Sequence, residues 1–188
     1  DHLLSLIEGT LDVARIEAGK LRLDSQPMRF RECIEEIARL FELQAADKGI
    51  GFSYQADGRL PEVVRADEKR LRQILINLVG NAVKFTTTGQ VRLHLQHARE
   101  MLRIEIIDSG PGMSEDELER VFEPFVRGSA AGGSSASGTG LGLTISKMLT
   151  DLMGGEMTVS STPGEGSTFS LRLFLPEVHA GLPGAAAA

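Results

Sequence analysis

The 188-residue sequence has one cysteine, no tryptophan and no excess of positive charge. Because Cys33 is alone, no internal disulfide can form, and a reducing compartment is compatible with the chain. Lys and Arg number 20 against 26 Asp and Glu, so the formal charge is −6 and nucleic acid is not expected as a partner. No apolar run approaches the roughly 20 residues of a membrane helix, and no signal peptide is evident. These absences predict a soluble domain without membrane contact, and 41% of hydrophobic residues suffices for a core.

Glycine, in contrast, is abundant at 21 residues, and twelve of them lie between Gly110 and Gly166. Helical spacing of apolar residues predicts helices over about 4–18 and 30–48, and another that begins after a capping Asp67. A short acidic helix over 114–121 and a helix over about 141–153, which ends before two glycines, are also predicted. Alternating apolar residues predict strands at 91–95, 102–106, 156–161 and 167–175. The resulting order of elements predicts an α+β fold, a two-layer sandwich with helices on one face of a mixed, mostly antiparallel sheet. Cys33 falls on an apolar helix face and is predicted to be a core residue.

The helix after Asp67 carries the first candidate site. Asn77, Asn81 and Lys84 follow an i, i+4, i+7 spacing, so their side chains point the same way. Asn is unfavourable inside a helix, which implies a compensating role. An amide oxygen suits Mg²⁺, and a lysine suits phosphate. On these residues alone, a solvated helix face explains the pattern equally well.

Three glycine clusters follow in the sequence. The run 108–112 (Asp-Ser-Gly-Pro-Gly) puts a carboxylate at a strand end beside backbone that a flat ligand can approach, although such turns are common. The run 138–143 (Gly-Thr-Gly-Leu-Gly-Leu) opens a helix whose free N–H groups are typical of an anion site. It matches neither a Walker A loop nor a dinucleotide fingerprint. The run 163–169 by itself indicates only a hairpin turn.

In this order, the clusters resemble the ATP-binding domain of sensor histidine kinases, in the superfamily shared with gyrase, the heat-shock 90 chaperone and mismatch-repair ATPases. Residues 77–86 resemble the N box and 122–125 the F box of that family. Residues 108–112, 138–143 and 164–166 resemble its first, second and third glycine boxes. The resemblance covers about residues 28–175 and implies the Bergerat ATP-binding fold.

The resemblance also implies how the chain is divided. Residues 15–21 are similar to the end of the second dimerisation helix of these kinases. The expected parts are therefore the C-terminal part of that helix over 1–22, the ATP-binding catalytic domain over 23–176 and a linker or tail over 177–188.

For the phosphate end of ATP, the resemblance implies a catalytic set of Asn77, Asn81, Lys84 and Arg127. Asn81 would bind the Mg²⁺ that bridges the phosphates with Asn77 assisting, Lys84 would contact a phosphate, and Arg127 would reach the γ-phosphate. Backbone groups of Gly140 to Gly142 would hold the phosphates beneath a mobile lid over 129–137. The cofactor-binding residues implied in the second glycine box are Gly138, Thr139, Gly140, Leu141 and Gly142.

For the base end, the resemblance implies that Asp108 accepts a hydrogen bond from the exocyclic amine of adenine. Gly110 and Gly112 would let the base lie close to the backbone, Phe85 would line the pocket, and Thr168 would complete it from the sheet.

The implied activity is ATP-dependent phosphorylation of a protein histidine. Hydrolytic members of the superfamily place a Glu where this sequence has Asn77, and an amide cannot act as a general base. None of the four histidines is followed by an acidic residue, as the family's acceptor histidine is, so the chain is expected to be a fragment without its phospho-acceptor.

The resemblance implies partners as well. These are the parent's own dimerisation domain, the receiver domain of a response regulator and a second copy in a full-length homodimer, in the cytoplasmic portion of a membrane-bound sensor kinase. A stand-alone ATPase and a catalytically silent docking module are the alternative hypotheses. A phosphate-release assay with Mg²⁺ would discriminate the stand-alone ATPase. A failure to bind nucleotide would favour the docking module.

Overall fold

The structure is a computed structural model that describes residues 2–124 and 141–179. Within these residues the helices are α1 (His2–Glu17), α2 (Phe30–Lys48), α3 (Glu68–Phe85), α4 (Glu115–Arg120) and α5 (Gly142–Leu152). The strands are β1 (Gln26–Arg29), β2 (Gly51–Asp57), β3 (Val63–Ala66), β4 (Gln90–Ala98), β5 (Met101–Asp108), β6 (Glu156–Thr162) and β7 (Gly166–Phe174). None of the helices in the described part is long and apolar enough to cross a membrane.

The main sheet has the strand order β2-β4-β5-β7-β6. Only the β2–β4 pair is parallel; the other three pairs are antiparallel. The β4–β5 hairpin closes through Arg99 and Glu100, whose φ angles of 53° and 66° are typical of a tight two-residue turn. The predicted mixed, mostly antiparallel sheet is confirmed.

One face of this sheet forms the core. Alternation along β4 and β5 buries Val91, Leu93 and Leu95 beside Ile104 and Ile106. Helices α2, α3 and α5 cover that face, so the two-layer prediction is confirmed. Burial of each such aliphatic side chain contributes about 1.5–3 kcal/mol relative to exposure.

Cys33 is buried on α2, as predicted. Its exposed fraction is 1%, and burial raises the pKa of its thiol to about 11. The thiolate is the reactive form, so Cys33 is an inert core residue at neutral pH.

The second, two-stranded sheet is a feature that the sequence does not predict. In it β1 pairs with β3, and Pro27 lies opposite Arg65. Strands of four residues are too short for a clear alternation, and Pro27 indicates only that a helix is broken. A proline is compatible with β1 because this strand pairs on one side only.

The chain after β7 also contacts this small sheet. The N–H of Arg65 donates to Pro176 O at 3.0 Å, and that of Val178 donates to Val63 O at 2.9 Å. Glu177 forms an ion pair with Arg59 at 3.1 Å. The first residues of the predicted tail therefore lie against β3, while 180–188 fall outside the described residues.

Candidate functional site

Helix α3 presents the polar residues of the N-box pattern on one side. Asp67 caps the helix, as predicted, by accepting a hydrogen bond from the N–H of Arg70 at 3.2 Å. Three side chains, Asn77, Asn81 and Lys84, are half-buried. Half-burial is typical of residues at the edge of a cleft, whereas residues on a solvated helix face are exposed. The side chains are therefore placed between the core and solvent.

The C-terminal end of α3 meets the first glycine box. A Cβ on Gly110 would lie 3.3 Å from Phe85 O and 3.0 Å from Asp108 Oδ1, so glycine allows this close approach. Phe85 is 37% exposed, and the Lys84 ammonium lies 5.5 Å from the centroid of its ring. The Thr86 hydroxyl oxygen is fully buried and has no hydrogen-bond partner among the described residues. A buried polar group of this kind usually has a partner in the functional state.

Lys48, which the sequence pattern does not single out, holds the same end of α3. Its ammonium donates to Val83 O at 2.6 Å and to Lys84 O at 2.5 Å, the last carbonyls of the helix. A cation at this position stabilises the negative end of the helix dipole. Partial burial lowers the pKa of Lys48. The only sequence signal for this contact is that Lys48 is a basic residue at the end of the predicted helix 30–48.

Asp108 ends β5 on the face of the sheet that α3 covers. Its Oδ1 accepts a hydrogen bond from the N–H of Gly110 at 2.9 Å, and the backbone of Ser167 also donates to the carboxylate. Burial raises the pKa of Asp108, and these two backbone hydrogen bonds oppose the shift. A partly desolvated carboxylate is a strong hydrogen-bond acceptor, and its two oxygens can accept from further N–H donors.

The first and third glycine boxes interlock. Gly112 has φ +71°, and a Cβ there would lie 2.1 Å from Thr162 O; Gly166 has φ +130°, and a Cβ would lie 2.0 Å from Asp108 O. Both distances exclude any other residue without movement of the backbone. The N–H of Gly164 donates to Pro111 O at 2.7 Å. The third box is therefore more than a hairpin turn: it fixes the backbone that carries Asp108.

The register places Ser167, and not Thr168, beside Asp108. Asp108 pairs with Ser167, and Ile107 pairs with Thr168. Successive residues of a strand face opposite sides of the sheet, so Thr168 points away from the site. The sequence contains a signal for this: residues two apart on a strand share a face, so Ser167 shares a face with the apolar residues Phe169, Leu171 and Leu173 of β7. Its hydroxyl lies 2.8 Å from that of Ser161, which accepts a hydrogen bond from the N–H of Met113 at 2.7 Å.

The N-terminus of α5 lies against α3. Its N-cap residue Leu141 has no polar side chain with which to cap the first N–H groups, and α5 starts at Gly142. The side-chain amide of Asn77 donates to Gly142 O at 3.3 Å and to the Ser146 hydroxyl at 3.2 Å. The structure thus brings the N box into contact with the last residues of the second glycine box.

Four of the predicted site residues, Gly138, Thr139, Gly140 and Arg127, lie outside the described residues, as does the predicted lid. Among the described residues, no cluster of three His, Cys, Asp or Glu side chains is arranged to hold a metal ion.

Residues 66–177 match the model of the family described as histidine kinase-, DNA gyrase B- and HSP90-like ATPases. The chain belongs to this family. It is 40% identical over 176 residues to the aerobic respiration control sensor protein ArcB of Escherichia coli (strain K12), an alignment that covers 93% of this chain and 23% of ArcB. It is 41% identical over 184 residues to the sensor protein GacS of Pseudomonas syringae pv. syringae, covering 95% of this chain and 20% of GacS. The chain therefore spans about a fifth of the length of these curated relatives.

Solved structures agree with this assignment. Full-length ShkA in complex with AMPPNP superimposes with a TM-score of 0.82 at 36% identity, over 98% of this chain and 38% of ShkA. The histidine kinase ThkA in complex with the response regulator protein TrrA gives 0.68 at 26% identity, over 94% of this chain and 49% of ThkA. The chain corresponds to the ATPase catalytic domain of sensor histidine kinases, and the family and fold predictions are confirmed.

Proposed function

We propose that this domain binds ATP with Mg²⁺ and transfers the γ-phosphoryl group to a histidine on a dimerisation domain, as part of a two-component sensor kinase. The observation that carries the proposal is the convergence of the clusters on α3. The end of α3 lies against Gly110, whose N–H donates to Asp108, and the middle of α3 contacts Gly142. The third glycine box locks the Asp108 backbone in place. The family and the AMPPNP complex of ShkA support a nucleotide as the ligand.

Adenine occupies the Asp108 end in this proposal. The carboxylate accepts from the exocyclic amine of adenine, whereas the corresponding carbonyl of guanine would repel it. Beside Gly110, the buried Thr86 hydroxyl lacks a partner within the described part of the chain, which fits a polar ligand or its bound water. We assign the base pocket to Asp108, Gly110, Gly112, Phe85 and, on the register of β7, Ser167 in place of Thr168.

The phosphates lie along α3 toward α5. Asn81 and Asn77 offer amide oxygens for Mg²⁺, which typically keeps several waters and takes phosphate oxygens in addition to one or two protein ligands. Mg²⁺ supplies neutralisation of phosphate charge when bound. Lys84 adds a positive charge. The N-cap side chain of Leu141 makes no hydrogen bond to the first N–H groups of α5, and N–H groups at a helix N-terminus are donors of the kind that hold phosphate oxygens. From the family, Arg127 and residues 138–140 complete this end.

Transfer to a protein is favoured over hydrolysis because no general base stands at Asn77. Phosphoryl transfer requires positioning and charge neutralisation more than covalent participation of the protein. The acceptor histidine belongs to a separate dimerisation domain in this proposal. A response regulator receives the phosphoryl group afterwards, and the complex of ThkA with TrrA supports a partner of this class.

The proposed function also gives a division of the chain into parts. We assign 1–22 to the end of the second dimerisation helix, 23–176 to the catalytic domain and 177–188 to a linker. Helix α1 exposes Leu4, Ile7 and Leu11 on one stripe, at 56%, 49% and 48% of their surface. A stripe at this spacing is typical of a helix that pairs within a bundle, which agrees with a homodimeric parent protein.

Radiolabelled ATP with Mg²⁺ tests the activity. The chain alone is expected neither to label itself nor to release phosphate quickly, and to label a separately supplied dimerisation domain that carries the histidine. Asn81→Ala is expected to abolish that label. Gln55→Ala is the control, because it removes an exposed side-chain amide from β2. Acid-labile label on this chain alone would show that the acceptor is misassigned, and rapid phosphate release would indicate an ATPase.

A further inference from the structure

Asn77 makes contacts that a metal ligand alone does not need. Its amide nitrogen lies 3.3 Å from Gly142 O and 3.2 Å from the hydroxyl oxygen of Ser146, one turn later on α5. Ser146 is fully buried, at 0% exposure. The two N–H groups of one amide therefore have two acceptors on successive turns at the start of α5.

The orientation of this amide follows from its partners. Gly142 O accepts hydrogen bonds and cannot donate, so only the NH₂ group can face it. The amide oxygen of Asn77 then points away from α5. The nitrogen is thus engaged with α5, and the oxygen is not used in either of these two contacts.

We propose that Asn77 is a positioning residue whose amide nitrogen holds the first turn of α5 against α3 in the absence of any metal or nucleotide. The same contact fixes the position of the first N–H groups of α5. The consequence for phosphate binding rests on the proposed function. Residues on other elements also hold this turn: Thr144 donates its hydroxyl hydrogen to Phe122 O at 2.8 Å. From α3, Asn77 provides hydrogen bonds to the start of α5.

Three substitutions separate this role from a purely metal-binding one. Asn77→Asp keeps an oxygen ligand for Mg²⁺ and places a carboxylate against Gly142 O, which repels it. Ser146→Ala removes one acceptor on α5 and leaves the amide oxygen of Asn77, the atom proposed to bind the metal, in place. Thr150→Val is the matched control, because it removes a buried hydroxyl of the same helix that donates only within α5, to Ser146 O at 2.7 Å.

Hydrogen exchange of the nucleotide-free chain in a chelator is the test, read on peptides that cover 141–152. Asn77→Asp and Ser146→Ala are each expected to speed exchange at Ile145 and Ser146 by about 2- to 10-fold, the loss of one or two ordinary hydrogen bonds. Thr150→Val is expected to leave these amides unchanged. Unchanged exchange in Ser146→Ala would overturn the proposal, as would an equal effect of Thr150→Val.

Binding of ADP without Mg²⁺ provides the second readout. The proposal predicts that Asn77→Asp and Ser146→Ala weaken it by a similar factor of about 2 to 10. Weakening confined to Mg²⁺-dependent binding, with normal exchange in the chelator, would make Asn77 a metal ligand only and overturn the proposal. If the unmodified chain binds no nucleotide, the proposed function fails, whereas the exchange experiment still decides the role of Asn77 in holding α5.

Discussion

Asp108→Asn separates ligand recognition from folding. The carboxylate accepts from the backbone N–H groups of Gly110 and Ser167 and, in the proposed function, from the adenine amine. An amide has a single oxygen for these three donors, and its NH₂ group would face one of them. The variant therefore loses at least one hydrogen bond to a charged acceptor.

The size of the effect follows from that loss. Hydrogen bonds to charged groups contribute about 1.5–3 kcal/mol, which corresponds to about 10- to 150-fold weaker ATP binding. Stability is expected to respond in the opposite sense. Because burial raises the pKa of Asp108 above its ordinary 3.8, the ionised form disfavours the folded state, and the penalty is full at neutral pH. Asp108→Asn removes this penalty and is expected not to lower the melting temperature.

Calorimetry with a non-hydrolysable ATP analogue and thermal unfolding, both at neutral pH, measure the two effects. Glu105→Gln is the matched control, since it makes the same chemical change on the same strand but on the opposite face. Unchanged ATP affinity in Asp108→Asn would refute the role of the carboxylate. A fall in both affinity and melting temperature would show that the carboxylate holds the fold and not the base.

Asn81→Ala is expected to abolish the gain in ATP affinity that Mg²⁺ gives while sparing metal-free ADP binding, and titration with and without the metal checks this. Ser167→Ala is expected to weaken ATP binding and Thr168→Ala to leave it unchanged, because only Ser167 shares the face of Asp108; equal effects in calorimetry would contradict the assignment from the register. Protonation of Asp108 removes the acceptor for the adenine amine, so ATP affinity is expected to fall as the pH is lowered. Because the pKa of Asp108 is raised, this fall is expected to begin at a higher pH than for an aspartate with an ordinary pKa, and a pH series of titrations measures it. Lys48→Met is expected to speed hydrogen exchange in the last turn of α3, because two carbonyls lose their donor.

The strongly periodic elements are predictable from the sequence, and they carry most of the fold. Repeated burial at period 3.6 or 2 defines α2, α3, β4 and β5, and the Asp67 cap marks where α3 begins. The small sheet is not predictable in this way. Its strands have four residues each, and their pairing depends on contacts between residues about 40 positions apart, which no local pattern encodes.

The candidate site is predictable as a set of clusters but not in its internal contacts. The sequence predicts closeness to a ligand for Gly112 but not that Gly112 and Gly166 each make room for neighbouring backbone, which the structure shows. The register of β7 disagrees with the prediction for Thr168, because the motif does not carry the two-residue period of the strand. The hydrogen bonds of Asn77 to α5 join residues more than 60 positions apart, so only tertiary structure reveals them.

Calorimetry of the unmodified chain decides whether the site built around α3 and Asp108 is an ATP site. A non-hydrolysable ATP analogue and its GTP counterpart are titrated with and without Mg²⁺. The proposed function predicts that the ATP analogue binds, that Mg²⁺ strengthens its binding, and that the GTP analogue binds much more weakly because Asp108 faces a carbonyl. Equal binding of the two analogues, or no binding of either, would contradict it.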